Sequence, residues 1–90
     1  MIREDIRQEL REKGFDDTIL FDNPSFDNSI VGYTEDGRVV YNYDSMVEEL
    51  AEEDGISLID AQEFIDYNTI RALPYAGEKA PIIVYRFQND

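Results

Sequence analysis

The chain has 90 residues, 42% of them hydrophobic and 12% aromatic, and its 21 Asp and Glu outnumber 8 Lys and Arg to give a formal net charge of -13. That length suits one domain with a modest core, and the aromatic content argues for a folded chain rather than a disordered one. With no Cys and no His, disulfides, thiolate nucleophiles, the usual zinc sites and the commonest general base are excluded.

In chain order, Ile2, Ile6 and Leu10 recur every fourth residue, with Arg3, Arg7 and Arg11 one step round. This spacing predicts a short helix with a narrow apolar stripe, docking by one edge. Glu4 and Asp5 at its start and Arg11 and Lys13 at its end suit the helix dipole, and Gly14 is placed to stop it. Residues 18–21 read as a short strand and residues 22–28, rich in Asp, Asn, Pro and Ser, as a loop. Residues 29–34 and 38–43 are β-prone runs flanking Glu35-Asp36-Gly37, and Asp-Gly between two such runs predicts a hairpin.

Asp44 or Ser45 is expected to cap a helix with apolar positions Met46, Val47, Leu50 and Ala51, ended by Gly55. Ser57 with Asp60 resembles a weak capping box opening a further helix through Leu58, Ala61, Phe64 and Ile65. That helix is expected to reach about Leu73, where Pro74 stops it. Residues 81–87 close the chain as a strand apolar enough to be internal or nearly so, with Pro81 tolerable at its first position. The expected fold class is α+β. It has a small antiparallel sheet of about four strands, in the order helix, three strands, two helices, strand, with the helices packed on one face.

The charge is unevenly spread. Residues 14–37 carry Asp16, Asp17, Asp22, Asp27, Glu35 and Asp36 and no base. Residues 38–70 carry Asp44, Glu48, Glu49, Glu52, Glu53, Asp54, Asp60, Glu63 and Asp66 against Arg38 alone. A field of this sign repels nucleic acid and anionic membrane and attracts basic proteins. Glu48/Glu52 and Glu49/Glu53 are i,i+4 pairs, two acidic rows opposite an apolar face. Like charges at that spacing cost a helix roughly 0.2–0.5 kcal/mol per pair. Their retention suggests either a field kept for a basic partner or a solvated outer face that serves solubility. The acids of residues 16–36 lack the ligand spacing and Gly turn of a calcium loop, so no metal or other cofactor is expected.

A second constellation is Tyr67, Asn68, Arg71 and Tyr75. These residues either recognise a ligand or settle how the last helix turns into the last strand, by bonding exposed carbonyls or pairing with Asp66. Tyr33, Tyr41, Tyr43 and Tyr85 lack the interleaved bases of a single-strand binder and read as core or sheet-face residues. No P-loop, dinucleotide fingerprint or nucleophile elbow occurs, and so small a domain has little room for a substrate cleft; a non-enzymatic protein is expected. No apolar run approaches the roughly 18 residues of a membrane span, and the charged start is unlike a secretory signal, which together predict a cytoplasmic protein. Edge strands of so small a sheet can pair between copies, which leaves a dimer open.

Residues 63–85, EFIDYNTIRALPYAGEKAPIIVY, with residues 31–50, VGYTEDGRVVYNYDSMVEEL, resemble a group of small uncharacterised acidic proteins carried by bacterial and phage genomes. The resemblance implies a shared fold and mobile-element company, but no activity. The layout is more loosely similar to a small acidic anti-CRISPR type that mimics DNA charge on the PAM-reading surface of an RNA-guided nuclease. The matching elements are the Glu35-Asp36-Gly37 tip and the face from Glu48 to Asp54, whereas the last strand and the DYNTIRALPY run depart from that type. The expectation is thus a DNA-mimic-type inhibitor that engages a basic, nucleic-acid-binding protein through Glu35, Asp36, Glu48, Glu49, Glu52 and Glu53. The alternative is an accessory or assembly protein acting through residues 66–75.

Overall fold

The computed structural model describes residues 3–88, so Ile2 of the predicted stripe lies outside the described residues. The fold is α+β. Helix α1 spans Arg3–Glu12 and buries Ile6 and Leu10, the predicted stripe. Gly14 follows with φ +87, and the Phe15 amide returns to the Leu10 carbonyl at 2.8 Å, closing the helix as expected. Strands β1 (Ile30–Tyr33) and β2 (Val39–Asn42) form the predicted antiparallel hairpin, with a bulge between Ile30 and Gly32.

Helix α2 (Tyr43–Asp54) starts directly from β2. Its cap is Asn42, not Asp44 or Ser45: the Asn42 Oδ1 accepts from the Ser45 amide at 2.9 Å. Gly55, at φ +64, ends it. Ser57 caps α3 (Leu58–Phe64) by accepting from the Asp60 amide at 3.0 Å.

Three further expectations need correction. Residues 18–21 form no strand, because side chains take up their backbone groups. Arg7 Nη1 donates to the Thr18 carbonyl at 2.6 Å, Arg3 Nη2 donates to the Phe21 carbonyl, and the Phe21 amide donates to the Tyr41 hydroxyl at 3.0 Å. The second concerns the last helix, which does not run on regularly towards Leu73. α3 ends at Phe64, a π-helical turn covers Ile65–Ile70, and Pro74 sits in a 3-10 turn, Leu73–Tyr75.

The third is the sheet, which among the described residues has three strands rather than four and is mixed rather than antiparallel. β3 is short (Ile82–Val84), lies at an edge and runs parallel to β2, in the order β1-β2-β3. The direction follows from the connection. Residues 71–81 carry the chain back to the hairpin tip, where Arg38 Nε donates to the Ala80 carbonyl at 2.9 Å and Lys79 Nζ donates to the Asp36 carbonyl. A strand that starts beside the tip must then run as β2 does.

The core lies on the face of the sheet that carries Val39 and Tyr41. Both are closed off from solvent there with Ile6, Leu10, Leu20, Phe26, Met46, Leu50 and Ile65. Tyr41 tilts against Phe21 at a centroid distance of 4.6 Å, and Phe21 meets Phe26 edge-on at 5.9 Å. Ile30 and Ile83, the register partners of Tyr41, pack against the same cluster half-buried.

Candidate functional site

At the hairpin tip, the Gly37 amide donates to the Thr34 carbonyl at 3.0 Å and the Thr34 amide to the Arg38 carbonyl at 2.8 Å. Gly37 has φ +85, and a Cβ built there would lie 2.6 Å from Phe15 Cδ1, so the tip is held against the Phe15 ring. Asp36 is engaged locally. The Thr34 hydroxyl donates to its carboxylate, and that bond, with lesser help from the charges of Lys79 and Arg38, holds the carboxyl below the usual carboxylate range. Glu35 beside it is exposed.

On α2 the two acidic rows fare differently. Glu49 is half-buried, and its Oε1 accepts from Ser29 Oγ at 2.8 Å, tying the helix to the 3-10 turn Asp27–Ser29. Glu48 Oε1 lies 3.6 Å from Arg86 Nη2, with both side chains more than half exposed, a pair that solvent screens strongly. Glu52, Glu53 and Asp54 are exposed. The tip and the helix do not form one surface. β2 leads away from Glu35 and Asp36 before α2 begins, and Ser29, which holds Glu49, lies just before β1 at the end of the hairpin far from the tip.

Helices α2 and α3 form an antiparallel pair, with the start of α2 fastened to the far end of the second helical stretch. Tyr43 Oη donates to Asp66 Oδ1 at 2.6 Å. Desolvation first, and the Asp66 carboxylate second, push the Tyr43 hydroxyl up to about 12. The pair presents acids and apolar side chains side by side. Ile59 is 68% exposed and Tyr67 also 68%, and Leu58 and Phe64, expected as core from their spacing, are 58% and 40% exposed. Ala61 and Ile65 alone of that predicted stripe are buried.

An open groove runs along this surface between Asp60, Glu63, Phe64, Asp66, Tyr67, Asn68 and Arg71. The Arg71 guanidinium lies 4.7 Å over the Tyr67 ring. Asn68 Nδ2 donates to the Phe64 carbonyl at 3.1 Å, so this side chain is engaged with its own backbone where the helix widens. Tyr75 stands 89% exposed on the following 3-10 turn. Tyr67, Asn68 and Arg71 are therefore brought together, with Tyr75 on the next turn. Asp60 and Glu63 were not singled out as contacts in the sequence; their signal was the i,i+4 spacing of Asp60 to Phe64 and of Glu63 to Tyr67.

Arg3, Arg7, Arg38 and Lys79 are half-buried, whereas Arg11, Lys13, Arg71 and Arg86 are exposed. Arg3 binds Asp27 through Nη2 at 2.8 Å and Nε at 3.2 Å, Arg7 and Arg38 serve carbonyls, Lys79 holds Asp36 and lies over the Phe15 ring, and Arg71 covers Tyr67. Among the described residues the ion pairs are Arg3–Asp27 and Arg86–Glu48. No group of three or more carboxylates among them is placed to hold a metal ion, and no described helix is long and apolar enough to cross a membrane. The chain matches no protein-family model, no curated protein and no solved structure.

Proposed function

We propose that this chain is a non-enzymatic protein that binds a basic protein surface, of the kind a nucleic-acid-binding enzyme presents, and acts as a charge-mimicking inhibitor. The contacts are Glu52 and Glu53, with Asp54, Asp60 and Glu63 of the same helical pair, and Glu48 once Arg86 is displaced. Glu35 and Asp36 at the distant tip and the tethered Glu49 are secondary. The observation that carries this reading is that four of the eight bases are used inside the molecule. Arg3, Arg7, Arg38 and Lys79 are committed to backbone carbonyls and neighbouring acids, while the carboxylates of the helical pair stand exposed beside Ile59, Phe64 and Tyr67. Exposed apolar groups ringed by unpaired acids suit a partner with both apolar and cationic side chains.

The test compares two charge-matched variants. Glu52→Lys with Glu53→Lys should abolish capture of the partner, whereas Asp16→Lys with Asp17→Lys, on the loop after α1, should leave it intact. Binding should also weaken steeply as salt rises. Equal loss in both variants, or salt-independent binding, would show that the helical pair is not the contact. The exposed Tyr67–Arg71 stack and Tyr75 favour a second reading, an accessory protein working through residues 66–75. There, Arg71→Ala or Tyr75→Ala abolishes binding and the charge reversals do not.

A further inference from the structure

Between α1 and β1 lies a cleft of about 240 Å³ that shares no lining residue with the α2–α3 groove. Its floor is apolar, formed by Ile6, Ile30, Val39 and Tyr33, and its α1 flank carries Asp5 and Glu9. The Tyr33 hydroxyl faces the Glu9 carboxylate and is pushed above its ordinary range by desolvation first and then by that neighbour. Small-molecule sites usually occupy roughly 300–1,000 Å³, so this cleft is sized for one side chain rather than a whole ligand. What borders it is a strand edge. β1 pairs with β2 alone among the described residues, which leaves the other row of its backbone amides and carbonyls without a strand partner. Natural edges of this kind are guarded by Lys, Pro, inward charges, bulges or short length. The sequence Ile-Val-Gly-Tyr carries no Lys, Pro or charge, its guards being its four-residue length and the bulge between Ile30 and Gly32, and Val31 is 62% exposed.

We propose that this cleft binds an extended basic peptide segment as a fourth strand added to the free edge of β1. Side chains of an added strand alternate with a period of two, so every second one points to the face that α1 covers. One such residue, a Val, Leu or Ile, fills the cleft. The next inward residue along, a Lys or Arg, meets Asp5 and Glu9. A second copy of this chain is a poor occupant, because edge-to-edge pairing would bring Asp5 and Glu9 of two molecules of charge -13 together. The proposal concerns a different surface from the α2–α3 pair and does not depend on the reading given for that pair.

The test uses a fluorescein-labelled seven-residue peptide with threonine at odd positions and lysine, valine, lysine at even ones, measured by anisotropy at about physiological ionic strength. Binding is expected, with amide shifts in ¹⁵N spectra concentrated on Val31, Gly32 and Tyr33. Asp5→Lys with Glu9→Lys should weaken it about tenfold or more, and the milder Glu9→Gln should weaken it in the same direction. The charge-matched Glu52→Lys with Glu53→Lys should not. Methylating alternate peptide nitrogens should also reduce binding, because strand addition needs those donors. Several results overturn the proposal: no binding, equal loss in both charge-matched variants, indifference to methylation, or shifts falling on the α2–α3 pair. A free protein that sediments as a dimer with its β1 amides protected also overturns it, by assigning the edge to a second copy.

Discussion

The region around the hairpin and the α2–α3 pair treat charge in opposite ways. Around the hairpin, Arg3, Arg7, Arg38 and Lys79 reach across the fold to carbonyls and acids of other segments, and the donors of Arg3 and Arg7 stand in for the strand that residues 18–21 do not form. On the helical pair Glu48, Glu52, Glu53, Asp54, Asp60 and Glu63 face solvent, and of these Glu48 has a screened partner in Arg86. The difference shows that net charge and local charge are separate quantities. The same chain uses four of its eight cations to tie segments around a small core and leaves much of the anionic surplus where it can act at a distance.

Removing one cation from each region breaks or sharpens that contrast. Arg3→Met should cost the most, about 2–3 kcal/mol by urea denaturation, because it strands the Asp27 carboxylate, about a quarter exposed, and the Phe21 carbonyl without their donor. Arg86→Met should cost under about 0.5 kcal/mol, as a screened surface pair does. Similar costs for the two would mean that the hairpin region is no more dependent on its bases than the helices are.

Gly37→Ala comes next, at about 2 kcal/mol. The positive φ and a Cβ only 2.6 Å from the Phe15 ring leave no unstrained position for a methyl group. Wild-type stability in that variant would show that the tip is loosely held against residues 14–18 and that the hairpin region is less rigid than its contacts imply.

Much of the first region was legible. The spacing of Ile6 and Leu10, the Gly14 stop and the Asp36-Gly37 turn are local signals, and α1 and the hairpin follow from them. The reading of residues 18–21 as a strand failed because β-propensity cannot tell what will bond the backbone, and here the donors are Arg3 and Arg7, 18 and 11 residues away in sequence. The parallel direction of β3 escaped because it depends on where residues 71–81 come to rest, a matter of tertiary contact with Asp36 and Arg38. For the candidate surface, composition gives the sign of the field but not which carboxylates remain free. Glu49 looked equivalent to Glu53 in the helical rows, yet Ser29 claims it.

A smaller effect tests how the helical pair is fastened. The Tyr43 hydroxyl, whose ordinary value is 10.0, is raised in the fold to about 12. A raised phenol favours the protonated form in the folded state. Its stabilisation is therefore complete below pH 10 and is lost as the pH climbs to about 12. Tyr43→Phe should cost about 1 kcal/mol at neutral pH by removing the bond to Asp66. It should also lose less stability than the wild type between those two pH values, by on the order of 1–2 kcal/mol. Tyr33 and Tyr41 are also raised, so the comparison with the variant isolates the Tyr43 share. Identical alkaline profiles would mean that Asp66 and Tyr43 do not hold α2 to the stretch after α3.

The smallest expected change is the one that separates folding from binding. Glu49 and Glu53 stand at i,i+4 on α2, as do Glu48 and Glu52, and like charges so placed disfavour the helix by roughly 0.2–0.5 kcal/mol per pair. Glu52→Lys with Glu53→Lys turns both repulsive pairs attractive and places cations near the helix C-terminus, where the dipole favours them. The variant should therefore melt no lower than the wild type and be stabilised by up to about 1 kcal/mol, while losing the basic partner. A destabilised variant would show that these carboxylates hold the fold in a way their exposure does not reveal. A stable one that no longer binds shows that the surplus charge of α2 is there for something other than folding.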